Sequence, residues 1–262
     1  MKKLIIERIS GGGQSKNLSV KGFYESFGFT LSEVLITLGI IGIVAALTLP
    51  SVINKYEKKV TVERLKQTYS MFNQAIIASE AVNGDLKDWI YSDSETVEED
   101  VFFNTYLRPY MKGVEKYSKP MNLWKRLDGT IDTDGSSMYS RPKYKLPNGV
   151  IFSVYSRTFT DVNLYKTSAW IIVDINGEKN PNRAGRDVFF MGIYPYLPKE
   201  TGKISMGIHE QCGSGQIHTR LSRDELLNEG CATCRKDYSG RGYSCGLLIQ
   251  KDGWEIKDDY PW

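Results

Sequence analysis

An apolar run, FTLSEVLITLGIIGIVAALTL, fills residues 29–49 and carries one charge, Glu33. As a helix it measures about 31 Å, which matches a hydrocarbon core of about 30 Å. Beyond Pro50 the helical period persists while polarity rises. Val62, Leu65, Tyr69, Phe72 and Ile76 recur at steps of three and four, which makes a one-sided apolar stripe. Asn83-Gly84 is the stop signal. The pattern predicts one long helix over 29–82, with a transmembrane part at 29–49. Its outer half needs a cover, and the C-terminal part of the chain is the expected one.

Residues 83–148 show no sustained period and read as a variable connecting region with a few short helices. From Gly149 the signals change to strands: GVIFSVYS, AWIIVDI, VFFMGIY and KISMGI, each rich in β-branched or aromatic residues and separated by turn residues. LLIQ, at 247–250, is a fifth candidate. A long N-terminal helix followed by an antiparallel sheet over 149–262 is an α+β plan.

Composition narrows the function more than the fold. The chain has 262 residues, 41% hydrophobic and 25% charged, which excludes wholesale disorder. Lys2, Lys3, Arg8, Lys16 and Lys21 against Glu7 and Glu25 account for the whole formal charge of +3. The rest is neutral, so no nucleic-acid footprint is indicated. His209 and His218 are the only histidines, and no set of nucleophile, base and orienting group can be assembled. The reading is that the protein is not an enzyme.

The basic residues all precede the apolar run, which predicts a cytoplasmic N-terminus and an outward C-terminal bulk. A cleaved secretory signal has a shorter apolar stretch and an A-x-A-like site, which Ala45-Ala46-Leu47 does not supply. A plain signal-anchor fits the length but leaves Glu33 without a partner. A carboxylate in an apolar helix is costly and marks function.

The string Gly28-Phe29-Thr30-Leu31-Ser32-Glu33, followed at once by the apolar run, resembles the prepilin cleavage site of type IV pilins and type II secretion pseudopilins. The resemblance covers residues 28 to about 80. It implies a 1–28 leader, a cut after Gly28 by a prepilin peptidase, and N-methylation of Phe29. It implies that Glu33 pairs with the Phe29 amine of a neighbouring subunit and sets axial register. Pro50 falls where many family members carry a helix-kinking proline. Gly39, Gly42 and Ala46 allow close helix approach, or simply reflect membrane-helix composition. The implied partners are copies of the chain, other pilin-like subunits, the peptidase/methyltransferase and an inner-membrane assembly platform. The implied location is the cytoplasmic (inner) membrane as a single-pass protein, then a periplasmic or extracellular fibre. The alternative function is a membrane-anchored extracytoplasmic binding domain that never polymerises.

Between the second and third strands lies a polar loop. Oxygen side chains at Asp174, Asn176, Asn180, Asn182 and Asp187 suit a hard cation such as Ca²⁺, though the spacing is not an EF-hand. A polar hairpin loop, with Asx side chains bonding nearby backbone, is the other reading. Major pseudopilins of type II secretion bear a calcium loop in this general region, which raises the cation reading without displacing the hairpin loop as the first one.

Cys212, Cys231, Cys234 and Cys245 cluster in the last quarter. Zinc is disfavoured because only one close pair exists, and a thioredoxin-like context for a redox CxxC is absent. Outside the cytoplasm two disulfides are expected, and the pairing stays open. The ending, from Asp252 to Trp262, reads as a docked tail whose aromatics pack, with sugar binding by Trp254 or Trp262 as the alternative.

Overall fold

The computed structural model describes residues 28–91, 100–119, 124–132, 141–158, 167–196, 203–207, 221–228, 233–237 and 239–262. The leader up to residue 27, Cys212 and Cys231 lie outside the described residues. Two compact units divide at Pro50–Ser51.

The first unit is helical from Leu31, and residues 28–50 are all exposed. This part of helix α1 (Leu31–Asn83) is long and apolar enough to cross a membrane. Pro50 sits inside α1, and the helix continues across it. Its ring nitrogen cannot donate to the Ala46 carbonyl, so one rung of the helical ladder is missing there.

The second unit is an α+β domain. The outer half of α1 buries Val62, Leu65, Phe72 and Ile76, with Tyr69 half-buried, as the stripe predicts. The helix ends at Asn83, and Gly84 takes φ +80°, with its N–H donating to the Glu80 carbonyl (3.1 Å). α2 (Asp100–Phe102) then runs into a wider turn over Phe103–Leu107.

Six strands follow in sequence order, every neighbour antiparallel: β1 (Glu115–Tyr117), β2 (Lys143–Lys145), β3 (Ile151–Arg157), β4 (Ser168–Asp174), β5 (Val188–Ile193) and β6 (Ile204–Ser205). Both faces are covered. Phe152 meets Phe72 of α1 edge-on (ring centroids 5.1 Å) and Phe103 (5.4 Å). On the opposite face Tyr155 meets Trp170 (5.4 Å), and Phe190 meets Trp124 (5.3 Å) and Tyr243 (4.7 Å). Double coverage explains why β4 and β5 read as near-continuous apolar runs rather than alternating ones.

One expectation is corrected and another extended. LLIQ is not a strand but part of helix α4 (Cys245–Lys251), which follows α3 (Arg223–Asn228). Leu247, Leu248 and Ile249 are all buried there, and a short apolar run buried on every side satisfies either conformation. The connecting region, read as variable with a few short helices, also contributes strands β1 and β2 to the sheet.

Cys234 and Cys245 form a disulfide with Cα atoms 5.0 Å apart. That pairing takes Cys234 out of any zinc set, and out of a CxxC redox pair with Cys231.

Candidate functional site

At the head of α1, Thr30 and Glu33 form a capping box. The Thr30 N–H and hydroxyl both donate to Glu33 Oε2 (2.8 Å each), and the Glu33 N–H donates to Thr30 Oγ1 (3.2 Å). The Thr30 carbonyl accepts from the Val34 N–H (3.2 Å), which starts the helix. Gly28 and Phe29 lie exposed ahead of it. Glu33 thus has a partner within its own chain, one the T-x-x-E spacing encodes.

The polar loop joins β4 to β5. Asp174 ends β4, and its Oδ1 accepts the N–H groups of Asn176 (3.2 Å) and Gly177 (2.9 Å). Asp187 directly precedes β5. It accepts from the Asn182 N–H (2.7 Å), the Arg183 N–H and Asn176 Nδ2 (3.0 Å). Gly177 is required as glycine: its φ is +69°, and a Cβ there would stand 2.4 Å from the Gly149 carbonyl oxygen.

Both carboxylates are buried, at 1% and 2% exposure. Burial pushes Asp174 up to about 8, and the facing Asp187 charge adds to the rise. Asp187 is also raised by burial, against the pull of its backbone donors and the Asn176 amide. The oxygens Asn176 Oδ1 and Asn182 Oδ1 are buried with no hydrogen-bond donor. Asn182 is 3% exposed, so its orphaned oxygen is costly as it stands.

The loop therefore carries two buried carboxylates and two buried amide oxygens that lack donors. An all-oxygen set of this kind fits a hard divalent cation better than zinc or a redox metal. Asn180 is not gathered with the others. Its side chain is exposed, and its main-chain carbonyl accepts from Asn176 Nδ2 (3.3 Å). Among the described residues no group of three or more His, Cys, Asp or Glu assembles.

A second buried carboxylate, which the sequence does not single out, is already neutralised. Asp132 receives Arg126 (Nε 3.2 Å, Nη2 3.0 Å) and Arg241 (Nε 2.7 Å, Nη2 3.3 Å), and Arg241 also donates to the Tyr243 hydroxyl (3.0 Å). Burial favours its neutral form, but the Arg241 and Arg126 hydrogen bonds outweigh that and hold it below the usual carboxylate range.

In the tail, Trp254 packs against Tyr69 (5.5 Å), and Arg186 lies over Trp262 (5.0 Å). These are packing contacts.

The chain belongs to DUF6613, a family of unknown function whose profile matches residues 51–262. The match begins immediately after Pro50, so the Gly28–Glu33 motif and the apolar run precede it. No curated protein and no solved structure matches the chain.

Proposed function

We propose that this DUF6613 protein is a structural subunit, a prepilin or pseudopilin that is processed in the cytoplasmic membrane and polymerises. The observation that carries the reading is the Gly28-Phe29-Thr30-Leu31-Ser32-Glu33 motif at the head of an apolar helix that continues into an α+β domain. A prepilin peptidase cuts after Gly28, and a methyltransferase modifies the Phe29 amine. The subunit is their substrate and has no catalytic role of its own. The basic leader holds the N-terminus in the cytoplasm.

Assembly on an inner-membrane platform then adds subunits to a type II secretion pseudopilus or a type IV pilus-like fibre. In the free subunit the capping box supplies Glu33 with hydrogen bonds but no counter-charge. A neighbour's Phe29 amine supplies that charge, and the two neutralise each other where each alone is costly. The β4–β5 loop holds a Ca²⁺ ion through Asp174, Asp187, Asn176 and Asn182. Bound there, the ion neutralises the facing carboxylates and satisfies the orphaned amide oxygens.

The test of processing is mass spectrometry of protein extracted from membranes of cells that possess the peptidase. The expected species begins at Phe29 and is about 14 Da heavier from one methyl group. Gly28→Val should retain the leader, and an intact leader on the wild-type chain would overturn the reading. Glu33→Ala should insert and be cleaved normally, yet be lost from sheared surface fibres. Wild-type fibre yield from that variant would mean that Glu33 is incidental to assembly, whereas absence of fibres from the wild-type chain would favour the anchored, non-polymerising alternative.

A further inference from the structure

The polar loop does more than join two strands, because three other parts of the second unit are fastened to its backbone. On α1, Arg64 Nη1 donates to the Ile175 carbonyl (3.2 Å), Thr61 Oγ1 to the Arg186 carbonyl (3.5 Å), and Glu57 pairs with Arg186 (2.9 Å). From the segment preceding Asp132, the Lys125 N–H donates to the Asn182 carbonyl (2.6 Å), and the Ala184 N–H to the Lys125 carbonyl (2.8 Å). From the tail, the buried Tyr260 hydroxyl donates to the Gly185 carbonyl (2.5 Å), while Trp262 lies beneath Arg186. Gly185 and Arg186 lie two and one residues from Asp187.

The tail has a second, independent anchor. Arg223 grips Asp252 (2.7 and 3.1 Å) and Asp259 (2.7 and 2.6 Å), and Lys257 also reaches Asp252 (3.0 Å). That anchor holds residues 252–259 without touching the loop. Residues 260–262 reach the loop through the Tyr260 hydroxyl and the Trp262 ring, while the Tyr260 N–H donates back to the Lys257 carbonyl (3.2 Å).

We infer that cation occupancy of the β4–β5 loop works as a latch, fastening residues 260–262 to the domain through Gly185 and Arg186. The inference rests on the cation reading above. With the ion bound, Asp187 is fixed, so the turn from Asn182 to Arg186 is fixed with it and presents the Gly185 carbonyl to Tyr260. When the ion leaves, Asp187 loses the tie that fixed it, and the turn hung on Asp187 by the Asn182 and Arg183 N–H groups loosens. Tyr260 then loses its acceptor, and a buried hydroxyl without one is costly. The last three residues detach while Arg223 keeps the preceding segment in place.

The experiment uses the full chain in detergent micelles, with millimolar CaCl₂ or with EGTA, and reads both melting temperature and amide exchange. Calcium should raise the melting temperature. It should also slow exchange at Tyr260 and Trp262 roughly tenfold, the scale of one hydrogen bond, and more than at Val154 of β3. Tyr260→Phe, which leaves all four proposed ligands intact, should keep the calcium-induced rise in melting temperature and lose the calcium response of the tail. A melting temperature that rises while tail exchange stays unchanged would overturn the latch and leave the cation reading standing. No response in either readout would remove the cation reading and the latch together. Full calcium-dependent tail protection in Tyr260→Phe would also overturn the latch.

Discussion

Asp132 and Asp174 are equally buried, at 1% exposure each, yet they ionise in opposite directions. Asp132 lies between Arg126 and Arg241 and is held below the usual carboxylate range despite its burial. Asp174 faces another carboxylate, and burial together with that neighbour pushes it up to about 8. Both accept strong hydrogen bonds, so hydrogen bonding alone does not separate them. The net charge of the immediate surroundings does. One site is balanced by the chain itself, and the other carries an excess of negative charge that the proposed cation corrects.

Removing the carboxylate should therefore act oppositely at the two places. Asp132→Asn leaves two guanidinium groups facing each other and should cost about 3 kcal/mol in urea unfolding. Asp174→Asn, measured in EGTA at pH 8, should raise stability, because it removes one member of a repelling pair. Destabilisation of both variants to the same degree would erase the contrast.

Calcium should come next in size. At a hundredfold excess over its dissociation constant it should add about 2.7 kcal/mol to the wild type. Asp187→Ala should abolish the gain. The effect should also depend on pH. Asp174 is raised in the fold, so without cation its contribution is fully present near pH 4 and is lost as pH rises through about 8. Protons and calcium compete for the same oxygens, so the calcium-induced rise in melting temperature should grow from pH 5 to pH 8. A rise that does not vary with pH would place the ion elsewhere.

The smallest expected effect lies in the other unit, where Glu33 draws on Thr30 rather than on a charge. Thr30→Ala removes the hydroxyl half of the capping box and should cost about 1 kcal/mol of local stability. Faster amide exchange at Leu31–Val34 in micelles, with the sheet unaffected, is the measurement. Unchanged exchange there would mean that the Thr30 hydroxyl contributes nothing to the helix start.

Much of this was readable in the chain because local pattern and final burial agree. The Val62–Ile76 stripe and the strands at 151–157, 168–174 and 188–193 each carry their period or β-branched composition openly. Glu115–Tyr117 and Lys143–Lys145 do not. They are short and charged, β2 pairing with the edge of β3 and β1 in turn with β2, so their pairing is a tertiary decision. LLIQ failed for the opposite reason, since its apolarity was plain and its conformation was not. The oxygen-rich spacing between Asp174 and Asp187 was legible, although Asn180 turned outward. The Asp132 cluster was not, because nothing local ties Arg126 and Asp132 to Arg241. The Thr30–Glu33 box was a readable local spacing that the electrostatic oddity of Glu33 overshadowed.

The outer half of α1 also has a mechanical consequence. A tension applied at residue 50 along the helix axis enters the domain at Glu57, Thr61 and Arg64, all tied to the β4–β5 loop, and then at Leu65, Phe72 and Ile76 in the core. Contacts spread along a helix in this way resist sliding together, in parallel, whereas a sideways pull opens them one after another, like a zipper. The second unit should thus withstand axial traction far better than lateral peeling, and the first rivets to give way under either load should be those on the polar loop.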